Sequence, residues 1–362
     1  MKTYHYGRQS IDATDVRAVS EALTSDFLTC GPKVEEFERD ICDYTGAKYC
    51  VAVANATAAL HLCMLAIGLK PQDEVITSPI TFVASANCVL YAGAKVKFAD
   101  IESDTANIAA EEIKKQITKR TKALIPVHFA GQSCDMERIS EIARANGLYV
   151  IEDAAHAIGS KYKGEMVGSC KYSDMTVFSF HPVKTITTGE GGAITTNSEE
   201  LHQKLSRLRA HGMRPAKNWE KEMRELGYNY RLTDIQSALG ITQLKKIEKF
   251  KKRRREIVEY YNKNLRLPHL VEKDYSDACF HLYPVMVPNR EDFYLKAREQ
   301  GLNLQVHYFP VHLQPYYKGL GFKEGDYPNA ESYYKNCISL PLYSSLSDAD
   351  LREIVKRIKA IL

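Results

Sequence analysis

A lysine amine attacks aldehydes and ketones when it is desolvated and presented at the end of a strand. Lys184 has such a setting. In SFHPVKTITTGEGG (179–192) a strand-like run precedes the lysine and a Gly-rich turn follows it. Glycines let the backbone pass close to a bulky ligand. A lone lysine beside glycines is more often a solvated surface group, so the assignment needs partners. One is VIEDAAHAIGS (150–160), an apolar strand ending in Glu152 and Asp153. Strand periodicity puts these carboxylates on opposite faces. A carboxylate at the carboxyl end of a parallel strand lies where open α/β sheets bind ligands; the plainer reading of Asp153 is a cap on the next segment. Another partner is ANATAALHL (54–62), where small residues open a helix after a strand. Its amides and the helix dipole form an anion site to which the Thr57 hydroxyl can add, unless Asn55 or Thr57 serves only as the cap.

Together these segments supply what pyridoxal phosphate (PLP) requires. The lysine forms the Schiff base, and the helix start takes the phosphate. An anion beside the pyridine nitrogen raises its pKa, so that the protonated ring acts as an electron sink. His181, three residues before Lys184, either tunes the amine or is a packing residue.

The elements that must position these residues follow from apolar runs. YCVAVAN (49–55), EVITSPITF (74–82), AKVKFADI (94–101), ALIPVHF (123–129), LYVIEDA (148–154), MTVFSF (175–180) and AITTN (193–197) read as strands. Helical segments, among them ATAALHLCMLAIG (56–68) and MERISEIARANG (136–147), separate most of them. Continuous apolar strands between helices predict a mostly parallel sheet covered on both faces. Residues 233–265 predict one long helix or two end to end, and after it FHLYPVMV and NLQVHYFPVH read as strands before a final helix at DADLREIVKRIKAIL. The expected organisation is a large domain over 1–240, including an N-terminal arm, and a smaller α+β domain over 241–362.

Composition narrows the function classes. The chain has 362 residues, 44% hydrophobic and 26% charged, with 49 basic against 45 acidic residues and a net charge of +4. Such a balance gives no whole-protein reason to expect nucleic acid or a membrane partner. The run KFKKRRR (249–255) is the exception; it reads as a solvated helix face, or alternatively as a nucleic-acid-binding patch that meets phosphates. Nine cysteines without a CxxC spacing suggest free thiols in a reducing, cytoplasmic compartment and no metal site. No apolar run is long enough to span a bilayer.

The motifs in this order, with FLTCGPKVEEFE, SPITFVASAN, PVHFAGQSCDMERI and LGYNYRLTDIQSALG, resemble the DegT/DnrJ/EryC1/StrS family of sugar aminotransferases. The resemblance covers nearly the whole chain and implies the PLP-dependent transferase fold of type I. It implies Lys184 as the Schiff-base lysine and Asp153 as the partner of the ring nitrogen. It places Phe82 on the ring, His156 near the ring hydroxyl, and Ala56, Thr57 and Ser179 at the phosphate. Asn229 would reach across a homodimer to the phosphate of the second copy. His156 stands where many members have glutamine, and Asn55-Ala56 replaces a common Ser-Gly, which leaves the phosphate contacts more dependent on backbone.

Within the family, HPVKTITTGEGG and YGRQSID look most like the pseudaminic-acid branch. That implies amino transfer from L-glutamate to C4 of a UDP-linked 4-keto-6-deoxy-2-acetamido sugar. Tyr6, Asp26, Phe27, Leu28, Thr29, Gln314, Pro315, Tyr316 and Tyr317, with Ala56, Ser179 and Asn229, would contact that substrate. Related PLP-dependent sugar dehydratases carry histidine in place of the lysine, so Lys184 argues for transamination. Another nucleotide-linked keto sugar stays open as the substrate. His307 and His312 bracket YFPV and are candidates to face it, and His128 is read as structural.

Overall fold

A computed structural model of the chain describes residues 2–362. The seven apolar runs form one sheet: β1 (Tyr49–Val53), β2 (Glu74–Thr77), β3 (Lys95–Phe98), β4 (Thr121–Ile125), β5 (Tyr149–Asp153), β6 (Met175–Ser179) and β7 (Gly192–Thr196). The spatial order is β1-β7-β6-β5-β4-β2-β3. All neighbours run parallel except β7, which is antiparallel to both β1 and β6. Strands β6 and β7 are buried throughout, as expected of a sheet covered on both faces. This is the α/β sheet expected from the sequence, with one reversed strand.

Helix α1 (Ala56–Ala66) follows β1 directly and buries most of its length, so it is apolar nearly all round rather than striped. Asn55 caps it, its side chain accepting the Ala58 amide at 2.8 Å. The predicted helical stretch 233–265 is two helices end to end, α2 (Asp234–Leu244) and α3 (Ile247–Asn264). The α3 helix joins two cores. Ile247 and Phe250 pack with residues of the sheet, whereas Ile257, Val258 and Tyr261 pack with the C-terminal helix Asp348–Ile361 and the antiparallel pair Tyr283–Met286 and Cys337–Leu340.

The chain's start is tied to this second core. Tyr4–His5 pairs in parallel with Leu302–Asn303, and Tyr4 is buried among the second core's residues. The sequence expectation of a strand over NLQVHYFPVH is corrected here. Leu302 and Leu304 do alternate with exposed Asn303 and Gln305, but only Leu302–Asn303 forms a ladder. Beyond it a single bridge, Gln305 to Ser339, is made before Pro310, which has no amide to donate. The segment therefore runs irregularly.

Half of the basic run on α3 is paired with acidic residues. Lys251 pairs with Asp277 at 2.7 Å, Arg253 with Asp348 at 2.8 Å, and Arg255 with Glu272 at 3.0 Å. Arg254 points inward and is buried. The uniformly solvated face read from the sequence is thus interrupted, because one arginine in the run falls on the helix's apolar stripe.

Candidate active site

The carboxyl ends of β5 and β6 and the first turn of α1 meet at one cavity of about 640 Å³. Parallel strands deliver side chains to that edge of the sheet, where α/β folds bind ligands. Asp153 ends β5 and is buried. Ser85 donates its hydroxyl to Asp153 Oδ2 at 2.6 Å, and the Ala155 amide donates to Oδ1 at 3.1 Å. Thr81 holds Ser85 in turn, at 2.7 Å between hydroxyl oxygens. The carboxylate is therefore fixed before any ligand arrives.

Glu152 faces the other way, as strand alternation requires. It accepts from His128 Nε2 at 2.6 Å, from Thr176 at 3.0 Å and from Ser173. The Cys134 amide donates to His128 Nδ1 at 3.2 Å, which leaves Nε2 to carry the proton toward Glu152. Burial would raise the Glu152 pKa, but the bonds from His128, Ser173 and Thr176 hold it below the usual range. This pair is sealed away from the cavity.

Lys184 follows β6 through a turn closed by its own amide on the His181 carbonyl at 2.9 Å. Its side chain lines the cavity. Desolvation lowers the amine's pKa to about 8, against the raising effect of Asp153. An amine at that value is still mostly protonated at pH 7, but its free fraction, the form that acts as nucleophile or base, is far larger than an ordinary lysine's.

Three histidines share the cavity wall: His156, His281 and His307. Burial, then the Lys184 charge, pushes each of them below the usual imidazole value, His307 to about 3. All three are uncharged at neutral pH. His156 Nε2 lies 3.1 Å from the Tyr308 hydroxyl, and its Nδ1 is buried without a partner.

These surroundings fit PLP. The orphaned His156 nitrogen lacks a hydrogen-bond partner that a ring oxygen can supply. Phe82 lines the cavity yet is 58% exposed, an aromatic face left for a planar group to cover. At the anion end, Asn55, Ala56, Thr57 and Ser179 line the cavity. Gly192 opens β7 against this turn, where a Cβ would stand 2.7 Å from the Ala56 amide nitrogen, so only glycine permits the close approach.

Of the residues singled out in the sequence, Tyr6, Ala56, Thr57, Phe82, Asp153, His156, Ser179 and Lys184 line this one cavity, as does His181. The others lie elsewhere. Asp26 to Thr29 is an exposed stretch, anchored where Thr29 bridges Thr233. Asn229 is exposed and bridges Ala210. Gln314, Pro315, Tyr316 and Tyr317 line a neighbouring hollow of about 450 Å³ together with Val83, Asn87, Leu90 and Tyr91. His307 reaches the cavity, whereas His312 is buried against Glu331 at 2.9 Å. His281 and Tyr308 were not anticipated; for His281 the only signal was its place at the head of the strand-like run FHLYPVMV.

The sequence matches the DegT/DnrJ/EryC1/StrS aminotransferase family over residues 9–359. It is 41% identical to the spore coat polysaccharide biosynthesis protein SpsC of Bacillus subtilis, over 98% of this chain and 96% of that one. It is 40% identical to a UDP-4-amino-4,6-dideoxy-N-acetyl-beta-L-altrosamine transaminase of Campylobacter jejuni, over 99% and 97% of the two chains. Among solved structures, Helicobacter pylori PseC, an aminotransferase involved in the biosynthesis of pseudaminic acid, superposes with a TM-score of 0.94 at 34% identity, covering 99% of each chain. The PLP form of a sugar aminotransferase assigned as putative, Spr1654 of Streptococcus pneumoniae, also gives 0.94, at 32% identity over 99% and 98%. Matched over nearly its whole length, the chain belongs to the DegT/DnrJ/EryC1/StrS family and is a PLP-dependent sugar aminotransferase of fold type I.

Proposed function

We propose that this chain moves the amino group of L-glutamate to C4 of a UDP-linked 4-keto-6-deoxy-2-acetamido sugar. The product is UDP-4-amino-4,6-dideoxy-N-acetyl-β-L-altrosamine, an intermediate of pseudaminic-acid biosynthesis. The choice of sugar is supported by the likeness to the C. jejuni transaminase and to H. pylori PseC. The chemistry rests on one observation: an amine with a pKa of about 8 in the same cavity as a buried, pre-bonded carboxylate.

When bound, PLP supplies an electrophilic carbonyl and an electron sink. Lys184 would hold it covalently through Nζ. When not engaged with the cofactor, Lys184 Nζ would serve as the base that takes a proton from the substrate's reacting carbon and the acid that gives one back. Asp153, already oriented by Ser85 and Ala155, would keep the ring nitrogen protonated. The Ala56 and Thr57 amides and the Ser179 hydroxyl would take the phosphate at the start of α1. Phe82 would cover the ring, and the Tyr308 hydroxyl donating to His156 Nε2 would leave Nδ1–H to meet the ring oxygen.

Tyr6 lines the cavity and would contact the sugar, with Asp26 to Thr29 and Gln314 to Tyr317 on its nucleotide side. The chain would work as a homodimer in which Asn229, exposed and outside its own cavity, completes the site of the second copy. Analytical ultracentrifugation tests this, and a fully active monomer refutes it. A cytoplasmic location is supported by nine free cysteines. Among the described residues no helix is long and apolar enough to cross a membrane.

Another nucleotide-linked keto sugar is the second reading, supported by the equal likeness to SpsC. The deciding experiment incubates PLP-loaded protein with glutamate and a panel of UDP-4-keto sugars, followed by NMR of the products. Amination of the 2-acetamido-4-keto sugar at C4 with altrosamine stereochemistry is expected. Exclusive turnover of a different sugar, or amination at C3, refutes this substrate.

A further inference from the structure

Arg254 comes from the basic run, yet its side chain is among the largest fully buried ones. A buried cation is costly unless paired, and among the described residues no carboxylate pairs with it. Its Nη1 instead donates to three carbonyls, those of Phe280 at 3.2 Å, His281 at 3.3 Å and Leu342 at 3.1 Å. Burial lowers its pKa to about 10, which leaves it charged at neutral pH. The cation is thus spent on fixing the backbone at the head of strand Tyr283–Met286, where His281 enters the cavity wall.

A second clamp acts on the same residue. The His281 amide donates to the Ala130 carbonyl at 2.8 Å. The Ala130–Gly131 turn has positive φ at both residues, and a Cβ on Gly131 would lie 2.3 Å from the Cys279 carbonyl oxygen. His281 is therefore held through its amide and its carbonyl from two different elements. Its ring packs on that of His156 at 4.4 Å, tilted by 49°. Its Nδ1 is buried without a partner, as is Nδ1 of His156 beside it. An apolar ring of similar shape would fill this place without the penalty of an unpaired polar atom.

We propose that His281, clamped by Arg254, is a positioning residue that sets the tilt of His156 toward the cofactor and keeps the wall behind it uncharged. The groups facing His281 are Lys184, His156, Arg254 and His307, two cations and two neutral imidazoles. Protonation of His281 between those cations is unfavourable, so the ring stays neutral while Lys184 gains and loses its proton. The inference rests on His156 being a cofactor contact.

The test uses His281→Phe, Arg254→Met, Arg254→Lys and His156→Leu. The readouts are melting temperature, PLP affinity of the cofactor-free protein, the absorbance of lysine-bound PLP, and kcat and KM for the glutamate half-reaction. His281→Phe is expected to melt no lower than the parent but to bind PLP about tenfold more weakly, with a shifted band, the size of effect seen when a supporting partner is removed. Arg254→Met should lower kcat by about tenfold with little change in KM, and Arg254→Lys should restore most of it. A His281→Phe protein that binds PLP like the parent with an unshifted band overturns the proposal, whether or not Arg254→Met folds. If His156→Leu also leaves PLP affinity unchanged, the fault lies with the reading of His156. If His156→Leu weakens binding and His281→Phe does not, the positioning role alone is refuted.

Discussion

Glu152 and Asp153 are adjacent on β5, are buried to the same degree, and each has a histidine from the same or a neighbouring strand end, yet their two surroundings are finished differently. On the Glu152 side every polar atom of the pair is used. His128 donates to the carboxylate and accepts the Cys134 amide, and two hydroxyls complete the shell. On the Asp153 side the carboxylate is anchored, but His156 and His281 each keep a buried nitrogen with no partner. Folding alone accounts for the first side. The second leaves a His156 nitrogen that a bound ring oxygen can pair with, and it is the side that faces the cavity. The same residue types thus complete a sealed network in one place and line the cavity in the other.

Substitutions at Lys184 should break this contrast most severely. Lys184→Ala is expected to abolish the absorbance of lysine-bound PLP and to lower turnover at least about 10³-fold, since both anchor and proton carrier are lost. Normal turnover with the keto sugar would refute the assignment. Asp153→Asn should still bind PLP but lose about 10²-fold or more in kcat, the scale of a preorganised electrostatic contact; near-parent rates would remove Asp153 from the mechanism.

Glu152→Gln should do the reverse. Urea unfolding is expected to show a loss of about 2–3 kcal/mol from disrupting a buried charged hydrogen-bond network, with turnover per folded molecule retained. A stable but inactive Glu152→Gln protein would erase the contrast between the two faces. The smallest effect is expected at Phe82. Phe82→Leu should weaken PLP binding about fivefold, corresponding to ~1 kcal/mol of stacking, and fluorescence titration measures it.

The pKa of Lys184 gives a further handle on the cavity side. In cofactor-free protein the amine is protonated below about pH 8 and free above it, whereas an ordinary lysine changes near 10.5. PLP capture should therefore accelerate as pH rises through 8. Stability shifts with the same group. Between 8 and 10.5 the unfolded chain holds a proton that the folded chain has released, so stability rises with pH across that window. Lys184→Met should raise the melting temperature of the cofactor-free protein at pH 7, and the gain should shrink toward pH 10.5. An unchanged melting curve at pH 7 would show that burial imposes no cost on this amine.

Much of the large sheet was legible because its strands are continuous apolar runs and its ligand-facing residues sit in short local motifs. Asp153 ends a strand, and Lys184 and Ala56-Thr57 follow one within a few residues, so chain position and spatial position coincide. The far wall was less legible. His281, His307 and Tyr308 lie about a hundred residues or more beyond β6 in the chain, and His281 is held by Arg254 of α3 and by the Ala130 carbonyl. No local pattern encodes such a meeting. The strand expected over NLQVHYFPVH failed for a related reason: alternation was present, but the neighbouring strands needed to complete the ladder were not. Cys337–Leu340 went unread because a four-residue strand buried throughout has no periodicity.

The inward turn of Arg254 has a practical consequence for redesigning the surface. Exchanging KFKKRRR as a block, to alter solubility or adsorption, would treat six like-charged positions as equivalent. Five are exposed or partly buried, three of them in ion pairs, whereas the sixth is an interior strut. A charge-reduction library that spares only position 254 should therefore retain folded protein far more often than one that spares any other member of the run.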